Sequence, residues 1–152
     1  MTLGKVKVRR LPLVSPPIPE GGGRIISAMG ELTQVINGPE FRFLAYIEFR
    51  PEAPMLRGNH YHRNKTEVLY VISGKVLAKY QDIDTGESVE MILESGDLVT
   101  ISPRCAHAYL PLELSQAVEL AANAYDPDDT IKYHLGMTQG NSEEGPVGQK
   151  DD

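Results

Sequence analysis

Three side chains with metal-binding chemistry lie close together near the middle of the sequence. His60 and His62 are two residues apart, and Glu67 follows the polar run 63–66. On an extended strand, alternate side chains leave the same face, and residues i and i+2 lie about 6.5 Å apart. The polar run predicts a turn that folds Glu67 back beside both imidazoles in a hairpin. Two imidazoles and a carboxylate suit a divalent transition metal such as Zn, Fe, Mn or Ni, although a strand with two exposed histidines has the same spacing.

A second stretch, residues 96–107, supplies another histidine. It begins with the turn glycine Gly96, continues as an apolar strand, and reaches His107 after a proline-bearing loop. The sequence contains four histidines, and three of them fall in these two stretches. This grouping favours a single site built from both stretches over unrelated surface histidines.

The two stretches resemble the motifs of the cupins, G-x5-H-x-H-x3,4-E-x6-G and G-x5-P-x-G-x2-H-x3-N. The positions that match are His60, His62, Glu67, Gly74, Gly96 and His107. The motif glycine, proline, glycine and asparagine are replaced by Pro54, Ser102, Arg104 and Pro111. The resemblance covers residues 40–115 and implies an all-β single domain, a small antiparallel β-barrel or jelly roll. It also implies a homodimer, and one divalent metal whose ligands are His60, His62, Glu67 and His107.

Short strands are the elements that must position these residues. From residue 24 onward, runs rich in β-branched and aromatic residues recur at about ten-residue spacing, with turns between them, as in a sandwich or barrel. Ser73-Gly74 predicts a tight hairpin between the strands on either side. Leu69 and Val71 share the face of Glu67 and should line the site. Residues 113–124 are rich in helix formers, yet we predict a strand because tertiary pairing overrides propensity.

The chain divides into an arm, one barrel domain and a tail. Residues 5–10 alternate basic residues with valine, which suits a short edge strand. The prolines and glycines that follow indicate that residues 1–23 are an arm, which either wraps on a neighbouring subunit or trails in solvent. We expect residues 24–138 to form the barrel domain. Residues 139–152 are too polar to bury a core and should be a flexible tail.

Composition narrows the possible partners and compartment. The 152 residues are 41% hydrophobic and 24% charged, which is typical of one soluble domain. A net charge of −6 argues against nucleic acid or an anionic membrane as a partner and leaves a small molecule. No apolar run approaches the ~20 residues of a membrane helix. With no signal-like N-terminus and Cys105 as the single cysteine, we expect a cytoplasmic protein.

Arg57 lies three residues before His60 and is a candidate for holding a phosphate or carboxylate at the barrel mouth. On a regular strand its side chain would leave the opposite face from His60, so a solvated arginine is the alternative. Residues 57–62 are similar to the arginine-glycine-x-histidine stretch of sugar-nucleotide epimerases and ketoisomerases. Residues 126–130 are similar to the tail of cupin domains attached to deoxysugar and capsule enzymes. We predict catalytic roles for three residues: Arg57 would hold a phosphate, and His60 and Glu67 would act through the metal.

Three functions remain open from the sequence. One is isomerisation or epimerisation of a sugar or sugar nucleotide, in which the metal or a histidine assists proton transfer next to a carbonyl. Another is iron-dependent dioxygenation of a small acid, thiol or diol. The third is a non-catalytic module that binds a small ligand. Tyr70 and Tyr109 are candidate general acids, and Cys105 is either a buried structural thiol or a reactive group near the site.

Overall fold

β-Strands and one short 3-10 helix (Pro127–Asp129) make up the regular structure of the described residues, 3–52 and 56–137, in the computed structural model. Pro54 and the predicted tail 139–152 lie outside these ranges. The strands are β1 (Val6–Arg10), β2 (Gly23–Ser27), β3 (Gly30–Gln34), β4 (Phe43–Phe49), β5 (Arg57–Tyr61), β6 (Glu67–Ser73), β7 (Lys75–Asp82), β8 (Ser88–Glu94), β9 (Asp97–Ile101), β10 (Cys105–Pro111), β11 (Ser115–Ala121) and β12 (Ile131–Lys132). Within that part of the chain, no helix is long and apolar enough to span a membrane.

Two antiparallel five-stranded sheets enclose the core. Their strand orders are β1-β9-β6-β11-β4 and β12-β5-β10-β7-β8, and β2 pairs with β3 in a separate ribbon. Because successive side chains of a strand point to opposite faces, one face of each strand points into the core. In β7, for example, Val76, Ala78 and Tyr80 are buried in a cluster that also contains Val71 and Val99 of the opposite sheet. The predicted all-β barrel or jelly roll is therefore confirmed.

The chain crosses between the two sheets at both places where the sequence predicts a hairpin near the site. β5 pairs with β10 and β12, whereas β6 pairs with β9 and β11. β7 then returns to the sheet of β5. The hairpins predicted at 63–66 and at Ser73-Gly74 are therefore wrong. Gly74 is the single residue between β6 and β7, and it has a left-handed φ of 92°. The chain there packs closely against Leu114 and Ser115, and β7 does not fold back onto β6.

The predicted N-terminal arm contributes a strand to the barrel. β1 pairs with β9 along its whole length and occupies the edge of the first sheet, as the alternation at residues 5–10 predicts. Treating residues 1–23 as an arm outside the barrel is therefore wrong for residues 6–10. Beyond β1 the chain passes over the outer face of the same sheet. There Leu11 is buried against Val68, Tyr70 and Leu98.

β11 is the strand that the sequence predicted against local propensity. It pairs with β4 on one side and β6 on the other. Ala117 and Ala121 are fully buried, while Val118 and Leu120 pack on the opposite, outer face. Pairing on both edges satisfies the backbone of this strand, and this overrides the helix preference of its alanines, leucine and glutamate.

Candidate active site

Strands from both sheets bring the four predicted ligands together. His60 lies in β5 directly opposite His107 in β10, with ring centroids 4.8 Å apart. His62 follows β5, and Glu67 begins β6 in the facing sheet. One ligand atom from each of these four side chains lies within 4.8 Å of those of the others. The four predicted residues thus form one compact cluster inside the barrel.

Main-chain carbonyls fix the orientation of two of the imidazoles. His62 Nδ1 lies 2.7 Å from the carbonyl oxygen of Asp129, and His107 Nδ1 lies 3.1 Å from that of Cys105. Because a carbonyl can only accept, each Nδ1 must carry a proton. The Nε2 atoms therefore face inward, 3.0 Å and 3.2 Å from the two carboxylate oxygens of Glu67. Metal-binding histidines in proteins are commonly oriented by such partners.

The electrostatics of the cluster suit a divalent cation. Burial alone would raise the pKa of Glu67, but the imidazoles of His107 and His62 lower it well below its usual value. Burial, with the neighbouring imidazoles of His107 and His62, lowers the pKa of His60 to about 3. Glu67 is therefore ionised and His60 neutral, as ligands must be. Three imidazoles and one carboxylate fit Zn, Fe, Mn or Ni by the chemistry of the donor set.

Two charged residues that the sequence analysis did not single out extend the cluster. Lys65 Nζ lies 2.9 Å from a carboxylate oxygen of Glu119 and 3.4 Å from one of Glu67. Burial and the adjacent Glu67 carboxylate raise the pKa of Glu119 to about 7. The signal that could have revealed Glu119 is its position between Ala117 and Ala121, where an acidic side chain shares the inner face of small apolar residues.

A cavity of about 130 Å³ opens beside the cluster. Its walls come from both sheets and combine apolar side chains with the polar groups of the site. The lining residues are Ile47, Phe49, Arg57, Gly58, His60, Glu67, Leu69, His107, Tyr109 and Glu119. A small molecule in this cavity would contact three of the candidate metal-binding residues, His60, Glu67 and His107. It would also contact the separate carboxyl group of Glu119.

Arg57 lines this cavity even though its predicted parity points it away. Gly58 and Asn59 both have left-handed φ values, 98° and 58°, and the β5–β10 register shifts between His107 and Ala108. This irregularity breaks the simple alternation of side chains. Arg57 therefore reaches the same cavity as His60. Its Nε donates to the carbonyl of Glu48 at 3.2 Å.

The other residues singled out from the sequence lie in different places. Tyr109 lines the cavity, and its hydroxyl is 3.2 Å from that of buried Tyr80. Tyr70 packs in the apolar cluster on the outer face, away from the site. Cys105 is buried, and burial raises the pKa of its thiol to about 12, as expected for a structural thiol. Val71 is in the core but does not line the cavity, unlike Leu69.

Sequence comparison identifies the family. Residues 28–120, more than half of the chain, match the family described as the polysaccharide biosynthesis C-terminal domain. The chain belongs to this family. A comparison with curated proteins finds no match.

Several solved structures with the same fold are described as ketoisomerases or epimerases. A 3,4-ketoisomerase from Helicobacter canadensis has a TM-score of 0.67 at 17% identity, over 84% of this chain and 90% of its own. A mutant of the 3,4-ketoisomerase QdtA from Thermoanaerobacterium thermosaccharolyticum, solved with TDP-4-keto-6-deoxyglucose, has a TM-score of 0.67 at 18% identity, over 86% and 89%. The 3,5-epimerase RmlC from Legionella pneumophila, solved with dTDP-4-keto-L-rhamnose, has a TM-score of 0.64 at 16% identity, over 86% and 78%. At these identities the comparison establishes the fold, and the predicted resemblance to epimerase and ketoisomerase barrels is confirmed at that level.

Proposed function

We propose that this member of the polysaccharide biosynthesis C-terminal domain family is an isomerase or epimerase of a keto-sugar nucleotide. The observation that carries the proposal is the cavity of about 130 Å³, in which His60, Glu67 and His107 share the walls with Glu119, Tyr109 and Arg57. This set places a candidate metal centre, an acid–base group and a cation around one small space. The keto-sugar nucleotides named for two structures of the same fold support the choice of substrate class.

The size of the cavity suits a single sugar ring. Pockets for drug-sized ligands span about 300–1,000 Å³, so about 130 Å³ is too small for a whole sugar nucleotide. The ring would enter the barrel, and the nucleotide would lie outside it. Arg57, at the rim beside Phe49, is placed to bind the diphosphate with its guanidinium.

His60, His62, Glu67 and His107 would hold a divalent metal, which when bound would polarise the carbonyl oxygen of the sugar. In this proposal His60 and Glu67 act as ligands rather than as the base. A neutral imidazole with a pKa of about 3 has little tendency to accept a proton near neutral pH.

Glu119 is the proposed base. Its carboxyl group lines the cavity and has a pKa of about 7, near the optimum for proton transfer at neutral pH. The ionised group would remove a proton from the carbon next to the carbonyl, and the electrons of the broken C–H bond would form the carbon–carbon double bond of an enediolate. Delivery of a solvent-derived proton to the opposite face of the same carbon completes an epimerisation. Delivery to the adjacent carbon, with the hydroxyl proton moving to the former carbonyl oxygen, completes an isomerisation.

Two neighbours would assist this transfer. Lys65 Nζ, 2.9 Å from Glu119, orients the carboxyl group and favours its ionised form. Burial raises the pKa of Tyr109 well above its usual value, so its hydroxyl stays protonated and can donate to a developing oxyanion. The reaction only redistributes protons, and the proton on Glu119 can exchange with solvent before a carbon is protonated again, so no oxidant or reductant is required.

Proton exchange with solvent tests the proposal directly. The protein, loaded with metal, is incubated in heavy water with TDP-4-keto-6-deoxyglucose and related keto-sugar nucleotides, and NMR follows deuterium entry next to the carbonyl. We expect exchange with wild type, loss of exchange in Glu119→Gln, and full exchange in the control Glu113→Gln, whose exposed side chain lies before β11. Absence of exchange across the panel, with oxygen consumption on a small organic acid in the presence of iron, would instead establish the dioxygenase alternative.

A further inference from the structure

Asp129 is a buried acidic residue outside both histidine motifs. It ends the 3-10 helix and is 7% exposed. Its carboxylate oxygens accept hydrogen bonds from the consecutive main-chain amides of Arg63, Asn64 and Lys65, at 2.7 to 3.2 Å. A single carboxylate therefore closes the loop that connects His62 to Glu67 across the two sheets.

The main chain of the same residue holds an imidazole of the cluster. The carbonyl oxygen of Asp129 lies 2.7 Å from His62 Nδ1, which must donate to it. His62 Nε2 then faces Glu67 at 3.0 Å. The main-chain carbonyl of Asp129 thus binds the His62 ring at one end of segment 62–65. Its carboxylate binds the Lys65 amide at the other end.

The local sequence explains how Asp129 reaches this position. Asp126 caps the 3-10 helix, accepting from the amide of Asp128 at 3.0 Å, and Pro127 begins the helix with a favourable φ. These residues belong to the 126–130 stretch, which resembles the tail of cupin domains attached to deoxysugar and capsule enzymes. The 3-10 helix therefore holds the loop after β5 in place through Asp129, although the helix and the loop lie more than 60 residues apart in sequence.

We propose that Asp129 is a positioning residue of the metal site, which holds His62 in the tautomer and orientation that direct Nε2 to the ion. The inference rests on the proposed function for the metal, and it adds a residue that lies in neither motif. Asp129 also fixes the position of Lys65, because the Lys65 amide donates to its carboxylate. The ammonium group of Lys65 lies between Glu67 and Glu119.

Zinc affinity of matched variants is the first test. Asp129→Asn places an amide NH₂ group among three N–H donors, so the loop and the Asp129 carbonyl should move. The control Asp128→Asn makes the same chemical change at the exposed neighbouring residue. We expect a zinc affinity about 10–100-fold weaker for Asp129→Asn, the usual effect of losing a partner of a metal-binding histidine, and no change for the control. Competition with a chromophoric chelator measures the affinity, and circular dichroism confirms that each variant is folded.

Nitrogen NMR of His62 is the second test and requires no metal. In metal-free wild type, ¹⁵N shifts should show that His62 Nδ1 carries a proton. In folded Asp129→Asn, Nδ1 should be less fully protonated. An unprotonated Nδ1 in wild type would overturn the inference, and this measurement decides the matter if Asp129→Asn fails to fold.

The outcomes separate the inference from the proposed function. Zinc binding by wild type, with unchanged affinity and a lower melting temperature in Asp129→Asn, would show a purely structural role and overturn the inference alone. If wild type takes up no metal, the proposed metal is wrong. In that case a protonated His62 Nδ1 in wild type would still support the positioning of His62 by Asp129, and an unprotonated Nδ1 would overturn it.

Discussion

Gly58→Ala is the substitution for which the structure gives the sharpest expectation. Gly58 has a φ of 98°, and a Cβ atom added there would lie 2.5 Å from the carbonyl oxygen of His107 and 3.0 Å from the Cα of Ala108. Both contacts are with the main chain of β10, which cannot rotate away as a flexible side chain would. The strands β5 and β10 must therefore separate where His60 faces His107.

The magnitude follows from two separable costs. An L-residue in the left-handed region costs about 1–2 kcal/mol. Crowding a well-packed interior adds about 1–3 kcal/mol, so we expect Gly58→Ala to lower the free energy of unfolding by about 2–5 kcal/mol. Gly86 isolates the first cost, because its φ is 82° and nothing lies within 4 Å of the added Cβ. Gly86→Ala should therefore cost about 1–2 kcal/mol.

Urea unfolding of both variants measures the difference, and zinc affinity reports on the site. We expect Gly58→Ala to be the less stable of the two and to bind zinc more weakly, because separation of β5 from β10 moves His60 away from His107. Gly86→Ala should bind zinc as wild type does. Equal losses of stability in the two variants, with unchanged zinc affinity in both, would refute the argument that Gly58 is required for the close approach of these strands.

Two further predictions concern the cluster and the cavity rim. His60→Ala and His107→Ala should each lose most of the bound metal by elemental analysis, whereas His134→Ala, outside the four-residue cluster, should retain it. A chelator should also lower the melting temperature of wild type, and an unchanged melting temperature in protein that takes up no metal would contradict the site assignment. Arg57→Ala should weaken binding of a nucleotide-sugar by about 1.5–3 kcal/mol in calorimetry, the scale of one charge-assisted hydrogen bond. Arg50→Ala, at an exposed position, is its control, and equal affinities in both variants would remove Arg57 from the binding site.

The sequence predicted which residues meet but not how they meet. The spacing of His60, His62 and Glu67, together with the cupin resemblance that added His107, identified the cluster that the structure forms. Local reasoning placed Glu67 beside the histidines through a hairpin, whereas the chain in fact crosses to the facing sheet. Turn residues indicate that the chain changes direction, but they do not determine which strand it pairs with next.

Residues that act through distant contacts were the hardest to predict. Parity alone would put Arg57 on the opposite face from His60, but the two left-handed residues that follow it invalidate that rule. Lys65 looked like part of a polar turn, and Glu119 lies in a segment whose composition favours a helix. Asp129 was visible only as part of a resemblance, because its hydrogen bonds join positions more than 60 residues apart. Pairing across such separations leaves little trace in a single sequence.

The repeated crossing of the chain between sheets has a consequence for the order of assembly. Because β5, β6 and β7 alternate between the two sheets, neither sheet can be completed from one continuous segment. Strand pairs far apart in sequence must close large loops before their contacts repay the lost chain entropy, and all-β domains of this kind fold in about milliseconds to seconds. The cluster draws His60, Glu67 and His107 from three strands in two sheets, so its ligand atoms converge only when those sheets have joined. A divalent ion would therefore bind late, and its concentration should alter the rate of unfolding far more than the rate of folding.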